Sequence, residues 1–145
     1  MIKKVRLPKN YRPTEKEAYM NETMLEYFRQ KLRAWKAELL AESDETLHTL
    51  QETDMYEADA IDRASRESDH ALELRTRDRY RKLLSKIDAA LERIDSGDYG
   101  YCEETGEPIG VKRLEARPIA TMCLEAQERH ERLERTRSDE QPEVE

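Results

Sequence analysis

The run Tyr80-Arg81-Lys82-Leu83-Leu84-Ser85-Lys86-Ile87-Asp88-Ala89-Ala90-Leu91-Glu92-Arg93-Ile94-Asp95-Ser96-Gly97 decides the fold. Tyr80, Leu84, Ile87, Leu91 and Ile94 recur at steps of three and four, which puts them on one stripe of an α-helix. Asp95-Ser96-Gly97 ends the stripe, with Gly97 suited to the left-handed backbone that closes a helix. A long helix with one apolar stripe needs a partner to cover it. Leu25, Phe28, Leu32, Trp35 and Leu39 supply a matching stripe, and it continues more weakly through Ser43, Leu47 and Leu50. The spacing predicts a first helix from about Glu22 to Leu50, roughly 40 Å long at 1.5 Å per residue. Asn21 is one candidate N-cap, and Thr14-Glu15-Lys16-Glu17 fits a capping box upstream of it.

Two such helices with a short connection lie antiparallel. The reversal falls between about Gln51 and Asp62, which puts the tip near residues 52–64. From Asp62 to Lys82 the chain is dominated by charge, with Ala64, Ala71, Leu72 and Leu74 as its scattered apolar members. Antiparallel pairing sets Leu25–Leu39 beside Tyr80–Ile94 and leaves the reversal thin and polar. A hairpin with a polar far end is built to deliver that end somewhere.

Composition supports this reading. The chain has 145 residues, of which 41% are charged and 37% hydrophobic. Ala, Glu, Lys, Leu and Arg make up over half of it, the signature of long helices or coiled coil. Four Gly and five Pro leave few turns, so many-stranded sandwiches, barrels and doubly wound sheets are poor candidates. The formal charge of −7 disfavours DNA as a primary target and argues against sequence-specific DNA binding. No apolar run reaches transmembrane length and no signal core opens the chain, so a cytoplasmic protein without membrane contact is expected.

Outside the hairpin the signals are shorter. Residues 1–17 carry Lys3, Lys4, Arg6, Lys9 and Arg12 with Pro8 and Pro13, and read as a basic flexible arm. Residues 98–137 form a small unit. In it, Asp98–Cys102 and Ile109–Val111 flank the turn-like Thr105-Gly106-Glu107-Pro108, a pattern for a short β-hairpin. A last helix is expected from about Ala120 to Arg135, with Glu125–Arg129, Glu128–Arg132 and Glu131–Arg135 in the favourable order. Residues 138–145 read as a disordered acidic tail. His48, His70 and His130 fall in charged helical stretches and read as surface residues.

Cys102 and Cys123 each occupy the first position of a CxxC-like spacing, with Thr105 and Ala126 where the second cysteines would stand. A structural zinc wants four thiolate or imidazole ligands in a tetrahedron. Zinc is therefore not expected, and two buried packing thiols are the simpler reading. A redox role follows instead if Cys123, near a helix N-terminus, has a lowered pKa. There is no phosphate loop, no HExxH and no nucleophile elbow, so no enzyme is expected. At the reversal, Asp59 and Asp62 are three apart and share a face of any helical turn. Such a pair can bind Mg²⁺, meet a basic patch or press on a metal-bearing site. It can equally be a helix cap that complements the macrodipole.

The tip Asp59-Ala60-Ile61-Asp62-Arg63-Ala64, the run Leu72-Glu73-Leu74-Arg75-Thr76-Arg77-Asp78-Arg79, Gly97-Asp98-Tyr99-Gly100-Tyr101-Cys102 and Arg113-Leu114-Glu115-Ala116-Arg117-Pro118 together resemble the DksA/TraR-type RNA polymerase-binding transcription factors. Tyr19-Met20-Asn21-Glu22, with Phe28 and Trp35 behind it, is similar to that family's approach to its first helix. The resemblance covers about Ala18 to Arg135. It implies a mainly α fold: a long antiparallel coiled-coil hairpin on a small zinc-finger-like globular domain with a C-terminal helix.

The resemblance also implies a monomer that inserts its hairpin into the RNA polymerase secondary channel and alters open-complex stability. It acts together with guanosine tetraphosphate (ppGpp), at ribosomal RNA and amino-acid biosynthesis promoters in the stringent response. Asp59, Asp62 and Ala64 are then the tip residues near the polymerase active site, and Arg79 faces the polymerase rim. Leu83, Lys86 and Arg117 match the nucleotide pocket shared with the polymerase. Ammonium and guanidinium groups suit phosphates there. Two departures stand out. Thr105 and Ala126 interrupt the four-cysteine zinc site, and Gln127 stands where such members usually carry Lys. Without metal the small unit must be held by packing, with Tyr99, Tyr101, Ile109, Val111, Leu114 and Ile119 the expected contributors. The rival within the same channel is a Gre-like transcript-cleavage factor, whose tip carboxylates hold a catalytic Mg²⁺. A coiled-coil adaptor without a polymerase role is the rival from another class.

Overall fold

The computed structural model describes residues 5–56 and 63–139. Its helices are α1 (Glu22–Tyr56), α2 (Arg63–Ser96), α3 (Val111–Ala116) and α4 (Leu124–Asp139). They fall into two compact units. One comprises Met1–Phe28 with Arg93–Glu145, and the other Arg29–Glu92. Both long helices thus contribute residues to each unit.

In the unit 29–92, α1 and α2 run antiparallel. Lys36 Nζ meets Asp88 Oδ1 at 2.7 Å, the Tyr80 hydroxyl donates to Glu42 Oε1 at 3.3 Å, and Gln51 Nε2 donates to Glu73 Oε1 at 3.5 Å. As the α1 number rises from 36 to 51, the α2 number falls from 88 to 73, so the register holds over about 22 Å of helix. Leu32, Leu39, Tyr80, Ile87 and Ala90 are buried. Each large apolar group among them contributes about 1.5–3 kcal/mol by leaving water. The exposed Lys36–Asp88 pair adds little beyond register.

Beyond Leu39 the seam becomes polar. Thr46 Oγ1 lies 3.4 Å from the Tyr80 hydroxyl. Further along α2, Glu73 and Thr76 are half-buried, while Leu72 and Leu74 are 44% and 54% exposed. Arg77 Nη2 holds the Glu73 carboxylate at 2.9 Å. Hydrogen bonds from Arg77 and Gln51 keep that carboxyl below its usual range. α1 continues to Tyr56, six residues past the expected end.

The other unit is built on Met24, Phe28, Ile94, Tyr99, Ile109, Val111, Leu114, Ile119 and Ala126, all buried. Met24 takes the core position that the spacing assigned to Leu25, which is only half-buried. The Phe28 and Tyr99 rings meet at 5.6 Å between centroids, and the Tyr99 hydroxyl donates to the Pro118 carbonyl at 2.7 Å. Burial pushes the Tyr99 phenol pKa well up. Gly97 adopts φ 87°, as its C-capping role requires, and Asp98 and Tyr99 N–H both return to the Arg93 carbonyl.

Several expectations are corrected. The β-hairpin is absent among the described residues: Tyr101 and Pro108 form one isolated antiparallel bridge, closed by Cys102 N–H to Glu107 C=O and Ile109 N–H to Gly100 C=O, both 2.8 Å. The segment is too short for a ladder, and Val111 turns into α3 instead of extending a strand. Tyr101 is 39% exposed and stacks edge-on against Tyr19 at 5.6 Å rather than entering the core. Thr14–Glu17 forms a turn, with Thr14 N–H on the Glu17 carboxylate at 3.0 Å. The N-cap of α1 is Asn21, whose Oδ1 accepts Met24 N–H at 2.9 Å. α4 begins at Leu124 rather than Ala120, because Ala120 and Cys123 are buried in the loop before it. Where the sequence reads as a loose arm, Tyr11 donates to the Glu17 carboxylate and packs on the Tyr27 ring at 5.9 Å, and Pro13 is buried.

Candidate functional site

α2 presents one continuous basic face. Arg75, Arg79, Lys82 and Lys86 follow at helical spacing, and with Asp78 and Leu83 they line a shallow depression of about 390 Å³. Arg79 and Lys86 are exposed and Leu83 is half-buried. Asp78 spans to Arg81 at 2.6 Å and Lys82 at 2.9 Å, and hydrogen bonds from Lys82 and Arg81 keep its carboxyl below the usual range. Periodicity explains the array: positions three and four apart share a face without any tertiary help. An exposed array of this charge, with a leucine set among it, suits an acidic surface or a phosphorylated ligand.

Arg117 belongs to the other unit. It follows α3 at its C-terminal end, with its N–H on the Arg113 carbonyl at 2.8 Å. Its exposed side chain lines a cleft of about 530 Å³ with Lys112, Arg113, Ile109 and Leu124. Arg113 is held there by its Nε donating to the Met122 carbonyl at 3.1 Å. The structure thus joins Arg79, Leu83 and Lys86 on one helix face and places Arg117 among cations of the second unit. Gln127 is half-buried on α4 and donates to Glu131 at 3.1 Å. Asp59 and Asp62 lie outside the described residues, and Ala64 is described only as part of the α2 backbone.

The two cysteines are free and buried, Cys102 at 2% and Cys123 at 9% exposure. Thr105 Oγ1 lies 4.0 Å from Cys123 Sγ. Burial pushes the Cys102 thiol pKa up. Hydrogen bonds from the Thr105 hydroxyl and from the Cys123, Thr105 and Glu104 amides outweigh this and bring it down to about 6. The thiol displaced toward thiolate is therefore Cys102, held by a loop, and its signal was the turn chemistry of residues 102–107 rather than a helix N-terminus. The donor set does not fit zinc. Thr105 offers a hydroxyl and Ala126 a fully buried methyl. His130 is turned to Glu104 at 3.3 Å. Among the described residues no three His, Cys, Asp or Glu side chains gather to hold an ion.

Sequence reasoning missed the clamp that shapes this unit. The Tyr19 hydroxyl donates to the Gly100 carbonyl at 2.6 Å and accepts the Gly110 N–H at 3.0 Å. Its only sequence signal was a tyrosine just ahead of the first helix.

An antiparallel two-helix hairpin with a basic face, together with a compact unit built around a two-cysteine finger remnant, defines a class of helical interaction proteins. Family models agree on which one. The chain matches the N-terminal domain of the DnaK suppressor protein DksA over residues 24–94 and the prokaryotic dksA/traR C4-type zinc finger over residues 97–132. It is 65% identical over 130 residues to the RNA polymerase-binding transcription factor DksA of Caulobacter vibrioides, covering 90% of this chain and 92% of the relative. It is 44% identical over 115 residues to the Escherichia coli protein of the same name, covering 79% and 76% of the two chains. The solved structure of transcription factor DksA2 from Pseudomonas aeruginosa superposes with a TM-score of 0.73 at 47% identity, over 81% of this chain and 91% of that one. The chain belongs to the DksA family. Among its described residues no helix is long and apolar enough to cross a membrane.

Proposed function

We propose that this chain is an RNA polymerase-binding transcription regulator that acts from the secondary channel and alters open-complex stability. The observation that carries this is the 65% identity, over nine-tenths of the chain, to a protein named for binding RNA polymerase. The basic face of α2 supports it, because an exposed Arg79 suits a contact with an acidic rim. In this reading Asp59, Asp62 and Ala64 form the tip that works beside the polymerase active site. The carboxylates add negative charge where the enzyme holds its catalytic metal and nucleic acid, which reshapes the open complex without any reaction by this chain. Leu83, Lys86 and Arg117 then serve ppGpp, with Lys86 and Arg117 on its phosphates. The chain works in the cytoplasm as a monomer, without enzymatic activity and without reading DNA sequence. It also holds its finger remnant without zinc, because two of four ligands are a hydroxyl and a methyl.

The deciding experiment measures the lifetime of a ribosomal promoter open complex with and without the protein, each with and without ppGpp. The wild type shortens the lifetime and ppGpp deepens the effect. Asp62→Asn and Ala64→Thr keep polymerase affinity yet lose the effect. Robust cleavage of a backtracked transcript, abolished by Asp59→Asn, would instead establish a Gre-like factor. An unchanged lifetime in every arm, together with no transcript cleavage, leaves the adaptor reading.

A further inference from the structure

The two buried thiols share one hydroxyl. Thr105 Oγ1 is 4.0 Å from Cys123 Sγ, and the same hydroxyl bonds the Cys102 sulfur, which also accepts the Cys123 amide N–H. Two soft sulfur donors therefore lie against one hydroxyl. Among the described residues no third His, Cys, Asp or Glu side chain joins them: the Ala126 methyl is fully buried and His130 is turned to Glu104. Zinc(II) wants four ligands and hard cations want oxygen, so both are poorly served. Thiolates select soft ions, and a closed-shell monovalent ion of the copper(I) class is satisfied by two of them.

We infer that Cys102 and Cys123 form a two-coordinate site for a soft monovalent cation of the copper(I) class. Binding makes two metal–sulfur bonds, and each thiol S–H bond that gives way releases its proton to solvent. The metal stays monovalent, nothing is oxidised, and the bis-thiolate complex carries one negative charge. Thr105 is exposed at the loop, while Ala126, which stands where a further cysteine would offer a thiolate, is buried. The inference is independent of any polymerase role.

The test is an anaerobic titration of the reduced full chain with copper(I), supplied as its acetonitrile complex, against a coloured copper(I) chelator. The expected result is one copper per chain withheld from the chelator. X-ray absorption should then give two copper–sulfur bonds and no further ligand. Cys102→Ser or Cys123→Ser should each weaken retention by at least about tenfold, roughly 1.4 kcal/mol. Thr105→Val, which keeps both sulfurs, should keep the stoichiometry. If a serine variant fails to fold by circular dichroism, the coordination number of the wild-type complex decides alone. Complete stripping by the chelator, equal retention by a folded serine variant, or three or more ligands at copper would overturn the proposal.

Discussion

Tyr19 and Gly100, 81 positions apart in sequence, are joined by a 2.6 Å hydrogen bond from the phenol to the backbone carbonyl. The same oxygen accepts the Gly110 N–H at 3.0 Å, so one side chain ties both limbs of the 100–110 turn. Burial raises the phenol's pKa, which keeps it protonated and able to donate.

Tyr19→Phe removes the bridge and leaves the Gly110 N–H unpaired. The Gly100 carbonyl keeps its bond from Ile109. The expected loss is about 1–3 kcal/mol for one half-buried unsatisfied donor and one lost bond. A lowered midpoint in urea unfolding, with unchanged helix content before the transition, checks it.

Gly100 and Gly106 separate two costs. Both have positive φ, 90° and 74°. A Cβ at Gly100 would stand 2.9 Å from the Met20 side chain, whereas one at Gly106 meets nothing within 4 Å. Gly106→Ala should cost about 1–2 kcal/mol from backbone strain alone. Gly100→Ala should cost more, because Met20 is itself held at φ 53° and must move. Paired melting curves decide, and equal costs would mean that Met20 yields freely.

The Cys102 pKa sets a pH dependence. Folding brings the thiol from 9.0 to about 6. Between those values the unfolded chain binds more protons than the folded one, so stability rises with pH. The contribution is complete above the unfolded thiol's pKa and is lost as pH falls through about 6. Under reducing conditions the urea midpoint should climb from pH 6 to pH 9. The Cys102→Ser protein should lack that increment.

Chelation tests the proposed independence from zinc. Protein purified without added metal should melt at the same temperature before and after dialysis against EDTA. Metal analysis should find far less than one zinc per chain. A fall in melting temperature that added zinc restores would contradict the reading of Thr105 and Ala126.

Arg79 tests the proposed polymerase surface. Arg79→Ala removes one exposed guanidinium and leaves the helix intact, since its stability lies in the Leu32–Ile87 side of the seam. Affinity for polymerase should fall roughly tenfold, in line with an arginine at an interface centre. The melting temperature should be unchanged. Retained affinity would move the contact elsewhere on α2.

The helices were legible because their information is local. Tyr80, Ile87 and Ile94 repeat at a period that only a helix turns into one face, and Gly97 marks its end by its own backbone freedom. Arg79, Leu83 and Lys86 were pointed to by the family resemblance, and the structure showed that they share one helix face. The polar half of the seam was harder to read. Leu72 and Leu74 are the large apolar members of that stretch, yet both are exposed, and Glu73 and Thr76 are half-buried because the register set farther along α2 carries them inward.

The sequence by itself determined two long antiparallel helices, the missing half of a four-cysteine site and the family to which the chain belongs. Spacing along the chain and the identity of single residues carry all three. Tertiary structure decided that Asn21 rather than Thr14 caps α1, that the 100–110 segment is a clamped turn rather than a hairpin, and that Cys102 is the thiol held toward its anion. The last two depend on partners that folding brings up: the Tyr19 hydroxyl for the turn, and the Thr105 hydroxyl and Cys123 amide for the thiol. The free energy of such a bond is set by distance and burial in the folded unit, and no local pattern of residues records either.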